Sequence, residues 1–571
     1  MPRKTFCPLI PLLVLALLVI PESLLAQPTG PREILYVPWG DDNPAGIRHV
    51  LEPGCRFGPQ SFRVESAGDV ITVLDPLDRT LKSFRKGSLI RSTPAPDGSR
   101  DFLAECANSY VFLAHNRLLL YRDGRQAASY GTANSLPLIR QMENTAGDLV
   151  LTRHDGTMAR LTSDLGVVRS MPGAESGTRS YQAVKRSAAL AELLVTDSMG
   201  RQTRVGRVIV PSGNLGCVRV IGSDDLGRIF LDINLVERAA PLAVRREVWV
   251  VDRTGLVQGR VEIPTHYYTR MFRDLELHAN GDLYHMISAA DGLHVFKWAA
   301  DATSDGSYRG FYPSRFREKV HYNFLATDEA PGGRTQLSVP GTKALASTVT
   351  RNQAVGTGDT YVQHQWTATA ANLTNGVVTD PDGDLVQTPD WVVVGLNQAI
   401  PYKWGGYNTI SYFDAGMTGG YYAGDIHTDG FSSYARGVDC SGFVCRCWNT
   451  DGVYTTSEMD DPAYGPITLP LATWDDIQAG DAIHKHGHVR MAITGLQDGS
   501  ILTVESAGTS TDWRVGYSSY TLAELEDYTP RYYIGMEGAL PAIISAGSGS
   551  WTSGTTWVGG VAPTAADDVL I

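Results

Sequence analysis

Residues 68–73 read Gly68-Asp69-Val70-Ile71-Thr72-Val73, and this turn-then-strand unit returns along the first half of the chain. Copies stand at Asn108-Ser109-Tyr110-Val111-Phe112-Leu113, at Gly147-Asp148-Leu149-Val150-Leu151 and, more loosely, at Glu192-Leu193-Leu194-Val195. Two more follow at Gly227-Arg228-Ile229-Phe230-Leu231 and Gly281-Asp282-Leu283-Tyr284-His285-Met286. Counted from residues 69, 109, 148, 192, 228 and 282, the spacings are 40, 39, 44, 36 and 54. A small turn residue followed by a β-branched or aromatic run signals a strand. A second turn trails several copies, as in Arg122-Asp123-Gly124 and Asp252-Arg253-Thr254-Gly255, so each period holds several strands. About six such periods predict the blades of a β-propeller over residues 27–300, because a lone blade cannot bury its faces and a ring of blades can. A β-sandwich with accidental regularity is the alternative.

The units also resemble the degenerate blades of bacterial extracellular propellers. Nothing in this half assembles a catalytic group: His49, His115, His154, His266, His278, His285 and His294 are scattered without ligand spacing. Loops on a rigid scaffold suit binding, although the ligand is not legible.

The composition of the whole 571-residue chain narrows the class. Hydrophobic residues make up 43% and charged residues 19%, ordinary values for a globular protein. The net charge of −12 argues against a nucleic-acid partner held by phosphate neutralisation. Residues 1–26 combine Arg3 and Lys4, an apolar run from Cys7 to Ile20, and Leu24-Leu25-Ala26. That is the layout of a cleavable signal peptide, and it predicts export without membrane insertion afterwards: secreted, periplasmic or at the cell surface. Residues 301–349 are polar and read as a linker. Asp380-Pro381-Asp382-Gly383-Asp384 reads as a solvated turn rather than a calcium loop, whose twelfth position would fall on Trp391.

Chemistry gathers in residues 350–537. From Cys440, the residues Phe443, Val444, Cys447 and Trp448 follow at i+3, i+4, i+7 and i+8, one apolar helical stripe with Cys440 in its first turn. A thiol there feels the positive end of the helix dipole, which favours the nucleophilic thiolate. A proton acceptor stands in Gly487-His488-Val489-Arg490-Met491-Ala492-Ile493, whose alternation predicts a half-buried strand beginning at His488. A turn around Asp498-Gly499 leads to a second strand, Ile501 to Glu505. With the hairpin centred between Gln497 and Asp498, residue 490 lies opposite 505, and His488 and Glu505 share a face. A shift of one residue in each strand makes them directly opposed. Either register lets Glu505 orient the imidazole, the third role of a nucleophile–base–orienter triad. His484, His486 and His488 share one strand face but lack a clear further ligand, so no metal is expected there and the first two are read as pocket-edge or surface residues.

Four pieces in this order, Tyr402-Lys403-Trp404-Gly405-Gly406, Asp439-Cys440-Ser441-Gly442-Phe443, Gly480-Asp481 and His488-Val489, resemble the NlpC family of papain-like bacterial cell-wall cysteine peptidases. The resemblance implies a multidomain chain: an all-β propeller-like domain followed by an α+β papain-like cysteine peptidase domain. It implies Cys440 as nucleophile and His488 as base, with Tyr402, Asp439 and Ser441 on the substrate side and no cofactor. Its substrates are peptidoglycan stem peptides or other peptide amides. Two departures stand out. The family's third residue is usually His, Asn or Gln where this chain offers Glu505, and a long insertion rich in Gly, Tyr and Asp separates Gly406 from Asp439. Cys445 and Cys447 are read as unbridged.

Residues 538–571 read as a linker and the truncated start of a β-rich module, in which residues 549–571, with Trp551, Trp557 and Val569-Leu570-Ile571, resemble the opening strands of β-repeat modules in large secreted proteins of Bacteroidetes-type bacteria. The expected function is therefore a secreted cysteine hydrolase targeted by a propeller. A surface-recognition protein with an idle hydrolase domain, and an amidase or acyltransferase acting off the wall, are the alternatives.

Overall fold

The structure is a computed structural model. It describes residues 30–299 apart from 41–44, 53–54, 66–67, 107–108, 115–116, 132–138, 146–147, 154–157, 162–164, 166, 172–179, 197–200 and 266. It further describes residues 312–316, 348–537 apart from 428–429, 462–465 and 497–498, and then 543–544, 549–553 and 569–570. Residues 1–29, most of residues 301–349, the tip of the 497–498 turn and most of the C-terminal stretch lie outside the described residues, so the expected signal peptide is not among them.

Six antiparallel sheets fill the first half. Their strands run over 61–94, 99–131, 139–171, 180–209 and 215–263, and the sixth sheet joins Leu275–Leu277, Leu283–Ala289 and Gly292–Trp298 to the N-terminal strand Arg32–Pro38. Each unit quoted above supplies the second strand of its sheet: Val70–Asp75, Ser109–Ala114, Asp148–Arg153, Leu190–Thr196, Ile229–Ala239 and Leu283–Ala289. Two of these strands are buried along their whole length, so the runs are apolar on both faces. Outer strands such as Arg125–Gly131 are largely exposed and correspondingly polar.

The first strands of the sheets touch one another in sequence: Ser61–Val64 meets Ser99–Cys106, which meets Ile139–Thr145. On the other side Ser180–Ser187 meets Leu215–Ser223, then Leu275–Leu277, which returns to Ser61–Val64. Pairing of Arg32–Pro38 with Gly292–Trp298 closes the circle with the two ends of the segment. This is a β-propeller with its ring sealed by its own N-terminal strand, an arrangement that leaves few free sheet edges.

In the second half, an antiparallel sheet runs in the order 468–470, 529–533, 482–485, 488–492, 500–507, 514–521. Three helices, α1 (Arg351–Gln363), α2 (Ile410–Thr418) and α3 (Cys440–Cys447), accompany it. Thr350 and Gln353 form a capping box at α1, and Thr409 caps α2. Helix α3 packs on α1 and on the 488–492 and 500–507 strands. Phe443 and Val444 join Val489, Met491, Leu502 and Val504 in one core.

The opposite face of that sheet is covered by the propeller. Ile483, Ala492, Ile501, Tyr520 and Leu522 share an apolar cluster with Cys217, Leu242 and Val244 of the fifth blade. Leu242 exchanges backbone bonds with the other half, donating to Tyr528 and accepting from Asp527, and the Trp474 indole donates to the carbonyl of Ala239 at 3.0 Å. Each fully buried apolar side chain contributes about 1.5–3 kcal/mol. This sheet is thus sandwiched between its helices and the propeller, and the two halves share a core rather than meeting only through a linker.

Candidate active site

Two of the quoted motifs, Tyr402–Gly406 and Asp439–Phe443, come together because their backbones are laid against each other. Tyr402 bridges Val438, and Asp439 donates its N–H to the carbonyl of Gly406 at 3.0 Å. A Cβ on Gly442 would stand 1.9 Å from the same Gly406 oxygen, so only glycine lets α3 start so close to the Tyr402–Gly406 segment. Gly405 is in the left-handed region with a φ of 67°, with Phe431 of the insertion packed where a side chain would be. Replacing Gly442 by alanine is expected to cost about 1–3 kcal/mol or more, as overpacking against rigid backbone does. Urea unfolding of the variant measures it.

Cys440 is the first residue of α3 and 9% exposed. Asp439 caps the helix: its carboxylate accepts from Gly442 N at 2.6 Å and from the Ser441 hydroxyl at 3.0 Å. Ser441 is fully buried and Asp439 nearly so, and both side chains take part in the cap at the start of α3. Tyr402 is 7% exposed, with its ring edge-on to Trp513 at 5.1 Å. Among the described residues, Cys217, Cys440, Cys445 and Cys447 form no disulfide. Burial pushes the Cys217 thiol up to about 12 and raises Cys447 well above its ordinary value.

His488 opens its strand and is buried, and its Nε2 donates to Glu505 Oε2 at 2.8 Å. The strands pair as Met491 with Val504 and Ala492 with Thr503, which sets residue 490 opposite 505 and makes His488 and Glu505 diagonal neighbours on one face. Of the two registers open to the sequence, this is the one adopted. Continuing it sets His488 across from Ala507. Ser506, next to it, donates its hydroxyl to the carbonyl of Val438 at 2.7 Å. The start of α3 is thereby pinned at the end of the sheet where His488 stands. Val489 and Met491 point to the helix layer, and Arg490 and Ala492 to the propeller layer.

Three groups unread in the sequence complete the surroundings of Glu505. Arg490 Nε donates to the same Oε2 at 3.0 Å, the Tyr520 hydroxyl donates to Oε1 at 2.5 Å, and the Tyr528 hydroxyl accepts from Arg490 at 3.2 Å. Burial alone would raise the Glu505 carboxyl, but the Arg490 guanidinium and the bonds from His488 and Tyr520 outweigh it and hold Glu505 well below the usual carboxylate range. Burial lowers His488, with Arg490 adding to the effect and Glu505 opposing it. A buried arginine in an alternating strand was the available signal, since such a charge requires a partner on its own face.

His484 is buried rather than at the surface, its Nε2 bonded to the carbonyl of Thr456 at 2.7 Å, and burial lowers it to about 4. Only His486 is exposed, beside Asp460 at 3.1 Å. In the 380–384 turn, Asp380 accepts backbone N–H bonds from Asp382 and Asp384 and a bond from Ser432 of the insertion. The insertion is built into the domain: Phe413 and Met417 of α2 belong to the same core as Phe443.

Asp425, also from the insertion, lies beside the Tyr402–Trp404 segment and is fully buried. Its Oδ1 accepts from Gln387 N and His427 N, while Oδ2 has no hydrogen-bond partner. Burial pushes its carboxyl from 3.8 up to about 6. An acid with a raised folded pKa binds its proton more tightly in the fold, so stability falls as pH rises through that interval. Asp425→Asn is expected to gain on the order of 2 kcal/mol at pH 7.5 and nothing at pH 3.5, read from urea midpoints at the two pH values.

No protein-family model matches the chain, and no curated relative matches it. Among solved structures, a member of the DUF4221 family from Bacteroides vulgatus is 11% identical, with 48% of this chain and 98% of that one covered at a TM-score of 0.32. The β-propeller domain of Cps50 (Swd1) from Myceliophteria thermophila is 10% identical over 44% and 98% at 0.29. The C-terminal WD40 domain of Sif2 is 11% identical over 48% and 99% at 0.27. These likenesses are too distant to bear on function, and the propeller assignment rests on the six sheets and their ring of first strands.

Proposed function

We propose that the second half is an NlpC-type, papain-like cysteine hydrolase that cleaves an amide bond, in the first instance in peptidoglycan stem peptides. The observation that supports this most is the buried His488–Glu505 bond at the sheet end to which the Cys440 helix start is pinned. In this reading Cys440 attacks the amide carbonyl as its thiolate, favoured by the first turn of α3. Glu505 engages Nε2 of His488, so the proton from the thiol and to the leaving amine passes through Nδ1. The amine departs as the thioacyl intermediate forms, and water then releases the acid. Glu505 remains ionised throughout and steadies the imidazolium. The exported setting expected from residues 1–26 suits a wall substrate.

The full-length protein incubated with defined muropeptides, followed by mass spectrometry, tests the reading. A new stem-peptide fragment is expected. A folded protein with a reactive Cys440 and no cleavage would move the activity to another amide or acyl substrate, and an inert Cys440 would leave a recognition protein.

A further inference from the structure

The propeller reaches into the polar cluster behind His488 through Arg270. Arg270 lies in the propeller, where its segment bridges Phe57. Its guanidinium carbon stands 4.0 Å from the centre of the Tyr520 ring, and Arg490 stands 4.0 Å from the same centre. The ring is thus in contact with two guanidinium groups, one from each half of the chain. Arg270 is fixed there by Nε to Glu524 Oε1 at 3.2 Å and by a bond from Nη2 to the carbonyl of Ser519. Tyr520 in turn gives its hydroxyl to Glu505, whose other oxygen holds His488.

We infer that Arg270 is a positioning residue of the hydrolase site: stacked on Tyr520, it holds the phenol on Glu505 and so sets the proton affinity of His488. The inference rests on the proposed role of His488 as base. It makes the propeller part of the site's electrostatics and not only a means of targeting. The cation–π stack fixes the ring, and the fixed hydroxyl withdraws charge from Glu505.

The groups facing His488 are identifiable from every side. Arg490 is on its own strand, Lys485 on the strand before and Glu505 on the strand after. Tyr520 and Tyr528 close the propeller-facing side, and Cys440 starts the helix packed on the other face. Beyond Tyr520 stand Arg270, Glu524 and, from the second blade, Arg100, whose Nη2 reaches the carbonyl of Ser510 at 3.4 Å. Losing the Arg270 stack and losing the Tyr520 donor both leave Glu505 more attractive to a proton on His488, so the two changes act in one direction and through one link.

The test is the titration of His488 in full-length protein carrying ring-labelled histidine, with its signal assigned by its loss in His488→Gln. In Arg270→Ala the His488 pKa is expected to rise by about 0.5–1 unit, with the same rise in Tyr520→Phe and no further rise in the double variant. Arg270→Lys, which keeps the charge without the planar stack, is expected to shift less, and it decides the matter if Arg270→Ala fails to fold. Lys185→Ala, which breaks the ion pair to Asp475 across the same interface, is expected to leave His488 unmoved. A His488 titration unchanged in the Arg270 variants, or additive in the double, would overturn the inference. Alkylation of Cys440 by iodoacetamide in the same samples separates the two readings. An inert wild-type thiol rejects the hydrolase, while the histidine titration still decides the link through Arg270.

Discussion

Cys440→Ala is expected to keep the fold and to lose about 10⁴-fold or more of the amide-hydrolysis rate. The sulfur removed is a small part of a large core, and the helix cap depends on Asp439, Gly442 and Gly406, not on the thiol. What disappears is the proposed nucleophile, and removing such a group alone costs nearly the full contribution of a catalytic unit. Cys440→Ser separates chemistry from shape, since the hydroxyl fills the same space with a far weaker nucleophile. Progress curves on a cleaved muropeptide, with circular dichroism to confirm folding, provide the measurement. Equal rates in wild type and Cys440→Ala would show that this thiol does no chemistry.

Glu505→Ala is expected to destabilise the protein by about 3–5 kcal/mol, because it strands Arg490 as an unpaired buried charge and takes the acceptor from His488 and Tyr520. Glu505 and Arg490 are both nearly inaccessible, so solvent screening does not soften the loss. The folded carboxyl lies below its ordinary value of 4.5. A depressed carboxylate contributes stability that is complete above its unfolded pKa and is lost only as pH falls through the folded one. The destabilisation of Glu505→Ala should therefore be the same at pH 8 and pH 5.5. Glu505→Gln keeps the volume but not the charge, and its amide N–H₂ would face Arg490 or His488, so it is expected to restore only part of the stability. Urea unfolding at both pH values tests this, and a Glu505→Ala loss below about 1 kcal/mol would mean that the cluster is not held by this ion pair.

Much of the site was legible because its signals are local. The Cys440 helix follows from the spacing of Phe443, Val444, Cys447 and Trp448, whereas the cap by Asp439 emerged only in the structure. The pairing of residue 490 with 505 followed from centring the turn, and the observed register agrees with it. His484 and the partners of Glu505 were read incompletely for one shared reason. Each is settled by burial against a segment distant in sequence: His484 against Thr456, and Glu505 beneath Tyr520.

The sequence by itself determined the repeated blade strands, the helix that begins at Cys440 and the strand that begins at His488, because periodicity and turn chemistry act over a few residues. Only the tertiary structure decided that the sheet carrying His488 is covered by the propeller, with Leu242 against Tyr528 and Arg270 on Tyr520. Strand alternation says that a face is buried, but not what buries it. That choice is made by shape and charge matching between segments some 250 residues apart, as in the bond from Arg270 to Ser519.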